Sequence, residues 1–210
     1  MLLAFDTATP AVTVAVHDGA RVRSEHTIVD ARRHGELLGP GIAHVLADAG
    51  ISASALRRVA VGVGPGPFTG LRVGLMTARA LGDALGIPVD GVCTLDVIAA
   101  DVAADEPFLV ATDARRREVY WATYDAAGKR LDGPHVDRPG DVGWDGPAYG
   151  AGALLYRDAF RLAHEPHHPS AAVLATMVAS GTAHLLAPDP LYLRRPDAVE
   201  PAARKAVTPA

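Results

Sequence analysis

Gly64-Pro65-Gly66-Pro67-Phe68-Thr69-Gly70-Leu71-Arg72 stands between two segments of opposite character. Residues 58–63, Arg-Val-Ala-Val-Gly-Val, are apolar and partly β-branched, the pattern of a buried strand. Residues 71–85 carry apolar side chains at helical spacing and stop at Gly86. The stretch is therefore a strand-to-helix turn. Gly64, Gly66 and Gly70 permit positive φ or the close approach of another backbone. Pro65 and Pro67 stiffen the chain between them. Phe68, a large apolar group in a tight turn, is expected to anchor it to the core, and Thr69 to cap the helix. Free N–H groups at such a helix start can hold a phosphate. Yet no Gly-Lys-Ser/Thr follows, as a P-loop requires, and the prolines break a dinucleotide-binding spacing. A structural turn is favoured over a phosphate cradle.

Working outward, residues 2–6 read as a buried strand ending on Asp6. Val12, Val14 and Val16 alternate as a second strand, Asp18-Gly19 signals a hairpin, and residues 21–28 return. Leu37, Leu38, Ile42, Val45 and Leu46 recur at helical spacing before Gly50. Residues 89–92 form a strand, and Thr94 can cap a third helix. The second half begins again. Residues 108–113 are an apolar strand ending on Asp113, residues 118–124 and 129–136 a hairpin, and helices are expected near 153–163 and 170–186. A strand ending in Asp, a hairpin and then helices, twice over, is the plan of the actin-like, sugar-kinase-like ATPase fold. The alternative is coincidence between two unrelated α/β segments. The expected division is 1–104, 105–195 and a loose tail at 196–210.

Of the 210 residues, 49% are hydrophobic and 21% charged, enough apolar material for a sizeable core. There is no apolar run long enough for a transmembrane helix and no signal-peptide pattern. Cys93 is the single cysteine, so no internal disulfide can form. A reducing cytoplasm is the expected location. The formal charge of −4 argues against tight RNA binding by this chain alone, since such binders carry a basic face.

Residues 64–74, with the strand before and the helix after, resemble the TsaB (YeaZ-like) family, the dimerisation subunit of the bacterial machinery that makes threonylcarbamoyladenosine at position 37 of tRNA. Phe5-Asp6-Thr7-Ala8-Thr9 is similar to that family's opening strand, and Arg33-His34-Gly35-Glu36-Leu37-Leu38 to the start of its first helix. Asp113-Ala114-Arg115-Arg116-Arg117-Glu118-Val119-Tyr120 resembles its second-half signature, and Tyr192-Leu193-Arg194 its closing element. The likeness is strong over residues 1 to about 125 and thinner beyond.

The resemblance implies a scaffold that binds and activates a catalytic relative, TsaD, with a third subunit, the ATPase TsaE, and reaches tRNA only through the complex. TsaD holds a metal through two histidines in a segment like Gly-Val-Asn-His-Leu-Glu-Gly-His. Here the comparable segment is Gly91-Val92-Cys93-Thr94-Leu95-Asp96-Val97-Ile98, so Thr94 and Ile98 take the histidine positions. Neither is a natural metal ligand. The implied chain has no cofactor of its own; its partner carries metal and nucleotide.

The resemblance also implies that the first two helices form a bundle with those of TsaD. The expected interface residues are Leu37, Leu38, Ile42 and Val45 on the first and Val73, Met76 and Ala80 on the second. Arg72, Arg115 and Arg116 are expected to meet a nucleotide or an acidic surface there, although Arg115-Arg116-Arg117 also reads as a solvated hairpin start. His34 is expected at the surface or in an interface. His164, His167 and His168 read as a polar loop in preference to an adventitious metal site, and Cys93 as a buried small residue. The rivals are a stand-alone ATPase or kinase of the same fold, a metallopeptidase of the glycoprotease type, and a homodimer through the same helices.

Overall fold

The computed structural model describes residues 1–194; the predicted tail at 196–210 lies outside them. The first lobe comprises β1 (Leu2–Asp6), β2 (Ala11–His17), β3 (Val22–Val29), α1 (His34–Asp48), β4 (Arg58–Gly62), α2 (Phe68–Leu85), β5 (Val89–Val92) and α3 (Thr94–Ala99). Its sheet order is β3-β2-β1-β4-β5. The strand β1 pairs antiparallel with β2 and parallel with β4, so Ala4 lies opposite both Ala15 and Ala60. Every residue of β1 is buried, as a central strand covered on both faces must be.

The second lobe comprises β6 (Phe108–Asp113), β7 (Val119–Tyr124), β8 (Arg130–Asp137), β9 (Ala148–Tyr149), α4 (Ala151–Leu155) and β10 (Ala163–His164), and α5 (Ala171–Ser180) follows it in the chain. Its order, β10-β9-β6-β7-β8, is the first sheet read in the opposite direction. The strand β6 is antiparallel to β7 and parallel to β9, matching β1 with β2 and β4. The two lobes are thus one topology used twice, with Asp6 and Asp113 ending the two central strands. This is the duplicated, actin-like plan.

The repeat is unequal. The strands β9 and β10 have two residues each, and α4 has five where a helix over 153–163 was expected. The chain leaves α4 at Tyr156, where φ −115 and ψ 55 depart from helical values. The last helix stops at Gly181, whose φ of 77 suits a glycine terminator, well short of the expected 186.

Packing sets the faces of the helices. In α1 the buried residues are His34, Leu38, Gly41, Ile42 and Val45, one stripe facing β2. Gly41 allows the approach: a Cβ there would lie 3.3 Å from Val14 Cγ2. Leu71, Leu75 and Ala78 of α2 join the same cluster against Phe5, Val59 and Val61. The opposite face of this sheet is covered by α5, whose Leu174, Ala175 and Val178 meet Leu2, Ala4 and Ala60. A helix from the second half of the chain therefore completes the first lobe. Between the lobes, Cys93, Leu95 and Ile98 pack on Phe108, Val110 and Tyr124. Among the described residues no helix is long and apolar enough to cross a membrane.

Candidate functional site

The turn after β1 and the glycine-rich stretch after β4 lie side by side, because β1 and β4 are parallel neighbours. Their contact is backbone against backbone. A Cβ on Gly66 would fall into the Ala8 carbonyl and stand 2.8 Å from the Ala8 side chain. One on Gly74 would lie 2.5 Å from Thr7 Oγ1. The Thr7 hydroxyl donates to the Gly70 carbonyl at 2.7 Å. Gly64 takes φ 90, a left-handed value suited to glycine. Gly66, Gly70 and Gly74 thus receive the protein's own Thr7-Ala8 turn against their backbone.

Asp6 sits at the centre, 1% exposed. Its Oδ1 accepts the Ala8 N–H at 2.7 Å, and its Oδ2 accepts the Thr94 hydroxyl at 2.7 Å. Thr94 Oγ1 also accepts the Gly64 N–H at 3.1 Å, and its own N–H donates to the Gly64 carbonyl at 2.8 Å. Burial pushes the Asp6 carboxyl up to about 6, against the opposing pull of Thr94, the Ala8 amide and the nearby His34. His34 is itself buried, with Nε2 2.8 Å from the Thr9 carbonyl. Because that carbonyl only accepts, Nε2 carries the proton. The expected surface role for His34 is thus corrected: it ties α1 to the Thr9 end of the turn.

Two further expectations change. Phe68 is 40% exposed and stacks on Tyr192, with centroids 5.5 Å apart, so it does not plug the core. Thr69 is exposed and makes no capping bond, because α2 already begins at Phe68 with Pro67 before it. The sequence marks Phe68 only as large and apolar. Its partner Tyr192 lies far along the chain, beyond any local pattern.

The expected interface residues divide sharply. Leu38, Ile42 and Val45 are 1%, 8% and 0% exposed and belong to this chain's own core, which corrects their assignment to a partner surface. Leu37 and Val73 are half-buried at the edge of that core. Met76 is 60% exposed, and Ala80 is exposed. Phe68, Arg72, Met76 and Ala80 follow at every fourth position, forming one exposed stripe along α2.

Arg115, Arg116 and Arg117 form the β6–β7 turn and all take left-handed φ, 62, 56 and 61. Such values cost side-chain-bearing residues about 1 kcal/mol or more each. The turn is closed by Ala114 N–H to the Glu118 carbonyl at 2.9 Å and by Glu118 N–H to the Arg115 carbonyl at 3.0 Å. Arg115 is engaged with Asp113 through its N–H at 2.9 Å and its guanidinium at 3.6 Å. Arg72 and this turn are both tied to the last described segment of the chain. The two are linked by residues 186–194: Leu191 N–H donates to the Val63 carbonyl at 2.9 Å, Tyr192 reaches Arg72, and Arg194 donates to the Ala114 carbonyl at 2.8 Å and pairs with Glu118.

Comparison with known proteins places this geometry. A family model described as "TsaD: tRNA N6-adenosine threonylcarbamoyltransferase" matches residues 22–186. YeaZ from Pseudomonas aeruginosa superposes with a TM-score of 0.76 at 31% identity, over 91% of this chain and 99% of that one. The chain belongs to the TsaB/YeaZ family. The Escherichia coli protein named "tRNA threonylcarbamoyladenosine biosynthesis protein TsaB" is 36% identical over 126 residues, 59% of this chain and 54% of that protein. An uncharacterized protein of Mycobacterium tuberculosis is 51% identical over 204 residues, 94% of this chain and 93% of its own length.

Within this TsaB/YeaZ fold, the positions where resemblance puts the catalytic relative's histidines are occupied by buried side chains. The Thr94 hydroxyl is fully engaged between Asp6 and Gly64. Ile98 is buried among Leu95, Phe108 and Tyr124. These residues do not fit a histidine-held metal. Cys93 beside them is buried, with its thiol pushed up to about 12 by burial, which leaves it unreactive at neutral pH. His167 Nδ1 lies 3.5 Å from the Glu165 carboxylate, while the His164 ring lies 5.6 Å from that of Tyr149; among the described residues no group of three His, Cys, Asp or Glu is placed to hold a metal.

Proposed function

We propose that this chain is a non-catalytic subunit in the biosynthesis of tRNA threonylcarbamoyladenosine, binding and activating the TsaD transferase that modifies adenosine 37. The observation that carries this is the exposed α2 stripe, with Met76 60% exposed, rising directly from the glycine turn. Exposed apolar side chains that line up along one helix face form a contiguous patch, and methionine, phenylalanine and arginine are enriched at interfaces. The interface comprises Met76, Ala80, Phe68 and the half-buried Leu37 and Val73; Leu38, Ile42 and Val45 support it from below. The filled space around Asp6 supports a binding role over chemistry in this chain.

In this reading TsaD carries the metal and nucleotide, TsaE joins the pair, tRNA is reached through the assembly, and the work is done in the cytoplasm. Alone, the chain pairs with itself through the same face. The test is reconstitution. TsaD with this chain and TsaE should modify a tRNA transcript over many turnovers, and omission of this chain should abolish sustained turnover. Equal turnover without it would refute the proposal. Calorimetric titration of the purified chain with ATP and Mg²⁺ should show no heat of binding; saturable binding with turnover would instead establish a stand-alone ATPase.

A further inference from the structure

We propose that Arg72, set in place by Tyr192, is the anchor that takes an acidic side chain of the protein seated on α2. The inference rests on the reading of α2 as a partner-binding face and adds the chemistry of the contact. Arg72 is held on two sides. Its guanidinium carbon lies 3.7 Å from the centroid of the Phe68 ring, and its Nε donates to the Tyr192 hydroxyl at 3.1 Å. Tyr192 in turn stacks on Phe68 with an interplanar angle of 21°. These contacts occupy one face of the guanidinium and one donor. Its two terminal amino groups have no partner among the described residues.

A planar fork of N–H donors with its stem fixed matches a carboxylate bidentately. An ordinary surface arginine loses rotamer freedom when it pairs, but here the Phe68 and Tyr192 contacts already restrict it, so pairing costs less. The neighbourhood argues for a protein carboxylate over a nucleic-acid phosphate. Phosphate backbones are bound by several cations along a track. The stripe continues instead into Met76 and Ala80, and the other α2 arginine, Arg79, is turned to the Pro188 carbonyl and Asp189. A single fixed cation beside an apolar ridge is the pattern of a hot spot.

Tyr192 is the positioning residue. It belongs to the segment that bonds Val63 at Leu191 and the β6–β7 turn at Arg194, so both lobes fix its place. Removing its hydroxyl frees Arg72 Nε without touching the stripe.

The experiment is calorimetric binding of the full chain to the TsaD subunit of the same organism, with variants Arg72→Gln, Tyr192→Phe, their double variant and Met76→Glu. Arg72→Gln should weaken binding by about 10- to 100-fold, and the loss should shrink as salt is raised. Tyr192→Phe should weaken it by roughly threefold to tenfold alone and not at all in the Arg72→Gln background. Thermal midpoints of both should match the wild type. If Met76→Glu abolishes binding while Arg72→Gln stays within about twofold, the anchor is wrong and the face stands. If Met76→Glu changes nothing, the face itself is wrong. Lost tRNA retention with unchanged TsaD affinity in Arg72→Gln would assign Arg72 to phosphate and overturn the proposal. Equal effects of Tyr192→Phe in both backgrounds would overturn its positioning role.

Discussion

Asp6→Asn should abolish a specific component of the pH dependence of stability. Burial raises the Asp6 carboxyl to about 6 in the folded chain, from an ordinary 3.8 in the unfolded one. At about 1.36 kcal/mol per unit, that difference amounts to about 3 kcal/mol. Between pH 4 and pH 6 the folded chain keeps this proton and the unfolded chain has lost it, so stability falls as pH rises and levels off above 6. Asparagine keeps an oxygen for the Ala8 amide and carries no charge to desolvate. Its amino group must face Thr94, whose hydroxyl hydrogen then needs a new acceptor, a loss of about 1 kcal/mol. The variant should therefore be about equal to wild type or slightly weaker at pH 4, and about 1–2 kcal/mol more stable at pH 7.5. Urea unfolding at several pH values, read as the difference between the two proteins, isolates this group from the other titrating residues. A difference that stays constant from pH 4 to pH 7.5 would refute the burial of Asp6. The Asp6→Asn variant should also activate TsaD as the wild type does, since the carboxylate is given no chemical step.

Three other substitutions probe the packing. Gly66→Ala drives a methyl into the Ala8 carbonyl and should cost about 3 kcal/mol, visible as a lowered thermal midpoint. Leu38→Glu buries an unpaired carboxylate in the core and should prevent folding, seen as loss of soluble monomer, whereas Met76→Glu should leave stability within about 0.5 kcal/mol of wild type. Gly181→Ala forces a side chain into the left-handed terminator of α5 and should cost about 1 kcal/mol in urea unfolding.

The first lobe was legible because its signals are local. Alternating valines mark β2, Asp18-Gly19 its turn, and the run to Gly86 the length of α2. The α1 pattern survives Gly39, Pro40 and Gly41 because Gly41 is needed where the helix meets Val14. What spacing could not tell was which side of each helix meets the sheet. Leu38 and Met76 are both apolar residues on apolar helices, yet one is 1% and the other 60% exposed. That phase is set by β2 and β4, which lie elsewhere in the chain. The pairings of β9 and β10 were invisible for a related reason, since two-residue strands have no period to read. The docking of α5 on the first sheet and of Tyr192 on Phe68 joins distant segments, and no local rule reaches it. The glycine motif announces a turn by its composition, but its counterpart leaves no local mark: Thr7 and Ala8, about sixty residues earlier, abut Gly66, Gly70 and Gly74.

The central claim is that the exposed stripe of α2 is where the catalytic subunit binds. The direct measurement is the dissociation constant of the complex with TsaD for wild type and Met76→Glu, with folding verified for both. Placing a carboxylate in the apolar part of the interface, where it also competes for Arg72 one turn away, should weaken binding by about 100-fold or more, with the unfolding midpoint nearly unchanged. An equal dissociation constant for a folded Met76→Glu variant would contradict the account.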